Sequence, residues 1–190
     1  MSGALIALIV VVVIVLIVVF WYISTRNGII SFRNRVDESW SGIDVQLKRR
    51  HDLVPNLVET VKGYATHESA VFEKVTQARA DAMSTPDTNV AGTAKAEGQL
   101  DRALADLRAV AEAYPDLKAT ENFQQLSRNL SELEDEIQAS RRIYNSNVQS
   151  YNTKIQQFPA SIVANQGGFT AREFYEIEDA AQREPPSVSF

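Results

Sequence analysis

Two histidines and a cluster of carboxylates are the places where this chain could do chemistry. It has 190 residues, no cysteine, and only His51 and His67 as imidazoles. Without cysteine there is no disulfide, no thiolate zinc site and no cysteine nucleophile. Each histidine precedes an acid, Asp52 and Glu68. On a helix such neighbours point apart, whereas metal ligands share a face only at spacings of three or four. Around His51 those places hold Leu47, Lys48, Val54 and Pro55; around His67 they hold Gly63, Tyr64, Ala70 and Val71. Neither set ligates a metal, and both fit packing. Glu132, Glu134, Asp135 and Glu136 lie mostly off the apolar stripe of their segment, with no Glu-x-x-His beside them, so they read as a solvated face. The chain carries no GxxxxGK[ST], GxGxxG or GxSxG, and Gly167-Gly168 reads as a turn. The expectation is a protein that is not an enzyme and needs no metal or other cofactor.

The segment WSGIDVQLKRRHDLVPNLVETVKGYATHES, residues 40–69, holds the densest decoration. Lys48, Arg49 and Arg50 are too few for nucleic acid, and the net charge of −5 opposes it. A lipid headgroup is also a poor partner: the three lie ~30 Å beyond Gly28 on a straight helix, against a Debye length of roughly 8 Å. Arg50 falls between Leu47 and Val54 on an apolar stripe, so it must find a carboxylate or carbonyl when packed. With His51 and Asp52 it makes a candidate interhelical network. Pro55, which removes a backbone donor, is expected to bend or interrupt the helix near Lys48–Asp52. A second candidate is YNSNVQSYN, where Tyr144-Asn145 recurs as Tyr151-Asn152 after seven residues. That interval places the tyrosines on one seam, core or interface, with asparagines able to fix register.

The elements that must position these residues begin with ALIALIVVVVIVLIVVFWY, residues 4–22, which has no charge. Its 19 residues suffice, at about 1.5 Å each, to cross a hydrocarbon core about 30 Å thick. Trp21 and Tyr22 end it where amphipathic rings favour the membrane interface. A cleaved signal peptide fits poorly, since no basic stretch precedes the run and no small-x-small site follows. Arg26, Arg33 and Arg35 follow the span and nothing basic precedes it. The positive-inside rule then puts Met1 outside and the remainder in the cytoplasm, a single pass through the inner membrane. The reading divides the chain into an outer 1–3, a span 4–22, a linker 23–28 with a joint at Gly28, and a helical domain 29–190.

Within that domain apolar residues recur at spacings of three and four. They predict helices over about 29–83, 90–113 and 115–158, separated by STPDTN and AYPD, with Pro159 closing the last. Thr170 and Glu173 are spaced as a capping box for a short C-terminal helix. At about 1.5 Å per residue the three helices would reach roughly 80, 35 and 65 Å. The fold class is therefore all-α: an N-terminal transmembrane helix, then an elongated antiparallel bundle of three long helices with a short C-terminal helix or tail.

WSGIDVQLKRRHDLVPNLVETVKGYATHE, AYPDLKATENFQQLSRNLSELEDEI, SRRIYNSNVQSYNTKIQQFP and the closing Pro-x-x-x-Phe resemble the LemA family of bacterial membrane-anchored proteins over nearly the whole chain. Residues 84–99 are the least typical stretch. The resemblance implies one N-terminal span, a cytoplasmic helical bundle and no enzymatic activity. Relatives are associated with membrane stress and quality control, and one occurs in magnetosome membranes. Two functions stay open. One is a scaffold that self-associates as a homo-oligomer to organise or shape the lipid bilayer. The other is an adaptor presenting KRRHD and the acidic tail to another membrane protein. Nucleic acid is not an expected partner.

Overall fold

The computed structural model describes residues 3–86 and 88–176, and among these it has six helices and no strand. They are α1 (Gly3–Lys62), α2 (Ser69–Ser84), α3 (Val90–Glu112), α4 (Pro115–Lys118), α5 (Glu121–Gln156) and α6 (Ala160–Gln166). The all-α class and the long apolar N-terminal helix are as the sequence predicts.

Several boundaries differ from expectation. Residues 23–28 form no loop, and α1 runs through Gly28 without a joint. A lone helical glycine costs only about 1 kcal/mol against alanine, too little to break a long helix. Pro55 does not interrupt α1 either. Its ring nitrogen cannot donate to the carbonyl four residues back, which is that of His51. Arg79 on α2 takes over: its Nε donates to the His51 carbonyl at 2.7 Å. The helix expected over 29–83 instead comes as two. The chain leaves α1 at Gly63, where the N–H groups of Gly63 and Ala65 bond the carbonyls of Glu59 and Val61 at 3.2 and 2.9 Å. These bonds satisfy acceptors that a helix C-terminus leaves open.

Asn89 caps α3, its side chain accepting from the Gly92 N–H at 2.9 Å. A Cβ at position 92 would lie 2.2 Å from the Asn89 amide nitrogen, so a larger residue there would require the Asn89 side chain to shift. The helix expected over 115–158 divides at Ala119–Thr120 into one turn of α4 and the long α5. The Thr120 hydroxyl accepts from the Phe123 N–H at 3.4 Å, which starts α5. α6 was not foreseen. Residues 169–176 are not helical, so Thr170 and Glu173 form no capping box for a helix there; the rest of that expected helix lies outside the described residues.

The chain divides into two compact units. The first combines residues 1–40 with residues 143–172. Here α1 and α5 run in opposite directions: Trp40 meets Tyr144 with ring centroids 5.4 Å apart, and Asn147 donates to the Arg35 carbonyl at 3.3 Å. Tyr151 donates its hydroxyl proton to the Thr170 carbonyl at 3.0 Å. The buried Asn152 amide both donates to the Arg172 carbonyl at 2.9 Å and accepts from its N–H at 2.8 Å.

The second unit combines residues 41–142 with the chain from Glu173. Its core gathers Val54, Leu57 and Val61 of α1, Phe72 and Val75 of α2, Leu100, Leu104 and Leu107 of α3, Leu117 of α4 and Leu130 of α5. Each such side chain contributes about 1.5–3 kcal/mol when fully buried.

Candidate functional site

Inside the second unit the apolar stripe of α1 is broken by Arg50, which is 1% exposed. A buried guanidinium requires compensating charge. The α3 stripe supplies it: Glu97 and Asp101 stand one turn apart, so both carboxylates face the same way. Arg50 donates through Nη2 to Glu97 and through Nη1 to Asp101. The second Glu97 oxygen lies 2.8 Å from His51 Nε2. An ionised carboxylate only accepts, so that nitrogen carries the proton. Arg141 of α5 stands 4.0 Å from the other oxygen of Asp101. It also sits 4.7 Å over the ring of Tyr175 and is 3.4 Å from its hydroxyl. Four segments therefore meet at one buried charge cluster.

The electrostatics follow from this packing. Burial alone would pull the Arg50 guanidinium down, but Glu97 and Asp101 outweigh it and hold it above its ordinary value. Burial likewise pushes Glu97 up, yet the His51 hydrogen bond and the Arg50 charge bring it below the usual carboxylate range. Burial pushes the Tyr175 phenol up to about 12, against the opposing pull of Arg141. The folded value exceeds the unfolded one of about 10. Its contribution is thus present below pH 10 and is lost as pH rises toward 12. Replacing Tyr175 with Phe should flatten the alkaline fall in stability between those limits, by about 2–3 kcal/mol on linkage grounds. Urea unfolding at stepped pH checks this; an unchanged alkaline limb would refute it.

A cleft of about 240 Å³ adjoins the cluster, bounded by Arg50, Asp101, Arg108, Glu134 and Arg141. Arg108 and Glu134 are paired across it at 2.8 Å. Both cations and carboxylates line this cleft. Among the described residues no three His, Asp or Glu side chains converge in a way that could hold a metal. What the arrangement can do is fix how α1, α3 and α5 meet.

The other predicted residues fall in several places. Lys48 is exposed and bonds Asp44 at 2.5 Å, and Arg49 is exposed at 3.8 Å from Glu136. Asp52 is exposed and Pro55 half-buried. Tyr144, Tyr151 and Asn152 are buried and Asn145 half-buried, all in the first unit. Trp21 and Tyr22 are partly covered, whereas the apolar residues before them are exposed. His67 is exposed, away from the core. Glu97, Asp101, Arg141 and Arg79 were not singled out. Glu97 left a signal: it precedes Leu100 by three residues and Leu104 by seven, so it stands on the α3 stripe as Arg50 stands on that of α1.

Residues 39–190 match the LemA family. The chain is 32% identical over 145 residues to Protein LemA of Metamycoplasma hominis, covering 76% of this chain and 66% of that one. It is 24% identical over 178 residues to Magnetosome proteins MamQ 1 and MamQ 2 of Paramagnetospirillum magneticum, covering 81% of this chain and 65% of each. It thus spans slightly less than two thirds of the length of these relatives.

Proposed function

The chain belongs to the LemA family, and from that premise we propose that it is a non-enzymatic scaffold, held to the bacterial inner membrane by residues 4–22, that self-associates to organise or shape the bilayer. Met1 faces outward and the helical domain the cytoplasm, on the strength of Arg26, Arg33 and Arg35 following the span. The observation that carries its non-enzymatic part is that the buried charge cluster consists of ion pairs between helices of this chain. Arg50 pairs through its two Nη groups with Glu97 and Asp101, and His51 pairs with Glu97, while Arg50 Nε stays buried without a partner; buried ion pairs of this kind can specify how helices register. Two of the relatives are named as magnetosome proteins, which agrees with a membrane-associated role.

The tyrosine seam is not available for association, because Tyr144, Val148, Tyr151 and Ile155 are already buried. Self-association must use exposed residues or the span. The mass of the detergent-solubilised chain, from light scattering with detergent subtracted, decides the matter. A large discrete assembly is expected; a monomer or dimer would defeat the scaffold.

The adaptor reading has one observation in its favour. A groove of about 430 Å³ lies between α1 and α5, edged by Arg49, Asp52 and Asn56 on one side and Asn129, Glu132 and Glu136 on the other. Its mixed charges suit a polar peptide. Within KRRHD, Arg49 is the surface residue for probing it; Arg50 is buried, and reversing its charge would damage the core instead.

A further inference from the structure

Phe158 is 82% exposed, the most exposed large apolar side chain among those described, and Ile162 on α6 is 46% exposed. Both belong to the first unit, at the turn from α5 to α6. The antiparallel register of that unit fixes their level along α1. Asn147 stands beside Arg35. Nine residues past Asn147, α5 ends at Gln156; nine residues back from Arg35 is Arg26. Phe158 therefore lies at the level of Ser24 to Arg26, within about one helical turn, ~5 Å, of Tyr22. Burial on α1 gives the same level independently. The residues from Leu5 to Phe20 are exposed, and partial cover starts at Trp21 and Tyr22.

We propose that the α5–α6 turn is a second membrane contact: Phe158, with Ile162 beside it, enters the interface of the same bilayer that α1 spans. By that register the turn stands beside the end of the span's exposed apolar surface, near Phe20 and Ile23. Arg26 and Lys154 stand just behind it, where cations meet lipid phosphate. An aromatic ring on a turn, backed by basic side chains, is the composition that favours the headgroup boundary. The partner is thus a phospholipid surface. This inference rests on the reading of residues 4–22 as a membrane span.

The chain has no cysteine, so single labels can be placed cleanly. Phe158→Cys, Leu16→Cys and Ile143→Cys would each carry an environment-sensitive fluorophore. The full chain would be reconstituted in vesicles of phosphatidylglycerol and phosphatidylethanolamine containing lipid with quenchers near the headgroup or on the acyl chains. Ile143 is 59% exposed but lies fifteen residues before Phe158, ~22 Å further along α5. The Leu16 label should be quenched most by acyl-chain quenchers, and the Phe158 label at least twofold more than the Ile143 label by headgroup-level quenchers. Quenching at Leu16 with Phe158 no different from Ile143 overturns the second contact and leaves the anchor standing. No quenching at Leu16 overturns the anchor and this inference with it.

Discussion

Glu97→Ala is expected to destabilise the helical domain by about 3 kcal/mol, the lower end of the range for breaking a buried ion pair, since Arg50 keeps Asp101. Glu97 is fully buried and shared by Arg50 and His51, so its loss strands two donors. The contrast is the double variant Arg50→Met with Glu97→Leu. It removes both members of the buried pair and keeps volume, a replacement that is often neutral or stabilising by about 1–4 kcal/mol, though here His51 and the partly exposed Asp101 each lose a partner. The double variant should therefore unfold closer to the wild type than either single variant does. Urea unfolding followed by circular dichroism gives the coupling through a double-mutant cycle. A double variant as damaged as the sum of the singles would show that the pair is not coupled. The same cluster sets an acid limit. Glu97 is held below its unfolded value, so its contribution is complete above about pH 4.3 and is lost as pH falls through the folded value. The double variant should lack that share of the acid sensitivity.

Three arginines in the apolar segment of α1 should release the protein from the membrane, whereas one should not. From Leu5 to Phe20 all but one residue is Leu, Ile, Val or Phe. At about 0.3–0.6 kcal/mol each, these favour insertion by roughly 5–9 kcal/mol. A single Val12→Arg costs about 2.5–3.5 kcal/mol and leaves a favourable balance. Ile9→Arg, Val12→Arg and Leu16→Arg together cost roughly 8–10 kcal/mol, enough to reverse it. Carbonate extraction of membranes should leave the single variant in the pellet and move the triple variant to the supernatant. A triple variant that stayed in the pellet would mean that something other than these residues holds the chain there.

The sequence was informative where one helix face decides the outcome. The apolar run, the α3 stripe and the place of Arg50 between Leu47 and Val54 are all readable from spacing. Two features misled. Tyr64 continues the three-and-four spacing past Val61, yet it is 46% exposed while Ala65 is fully buried. Apolar spacing alone does not record that Gly63 has ended the helix. Gly28 and Pro55 signal interruption, but the local cost of each is met by the rest of α1 and by Arg79. The partners of Arg50 were hidden for a different reason. Glu97 is 47 residues away in the chain, and which stripe positions oppose each other depends on helix register, which periodicity within one helix does not encode. Thr170 and Arg172 are held through their backbone groups by Tyr151 and Asn152, a contact that side-chain pattern does not record.

The exchange at Pro55 has a genetic consequence. With proline at 55, the His51 carbonyl has lost its helical donor and Arg79 is the group that satisfies it. Alanine at 55 would restore the helical donor, and a carbonyl can accept twice. A substitution that removes Arg79 is therefore costly beside proline and tolerable beside alanine. The two positions form an epistatic pair 24 residues apart, in which the order of change decides which lineages can give up the arginine.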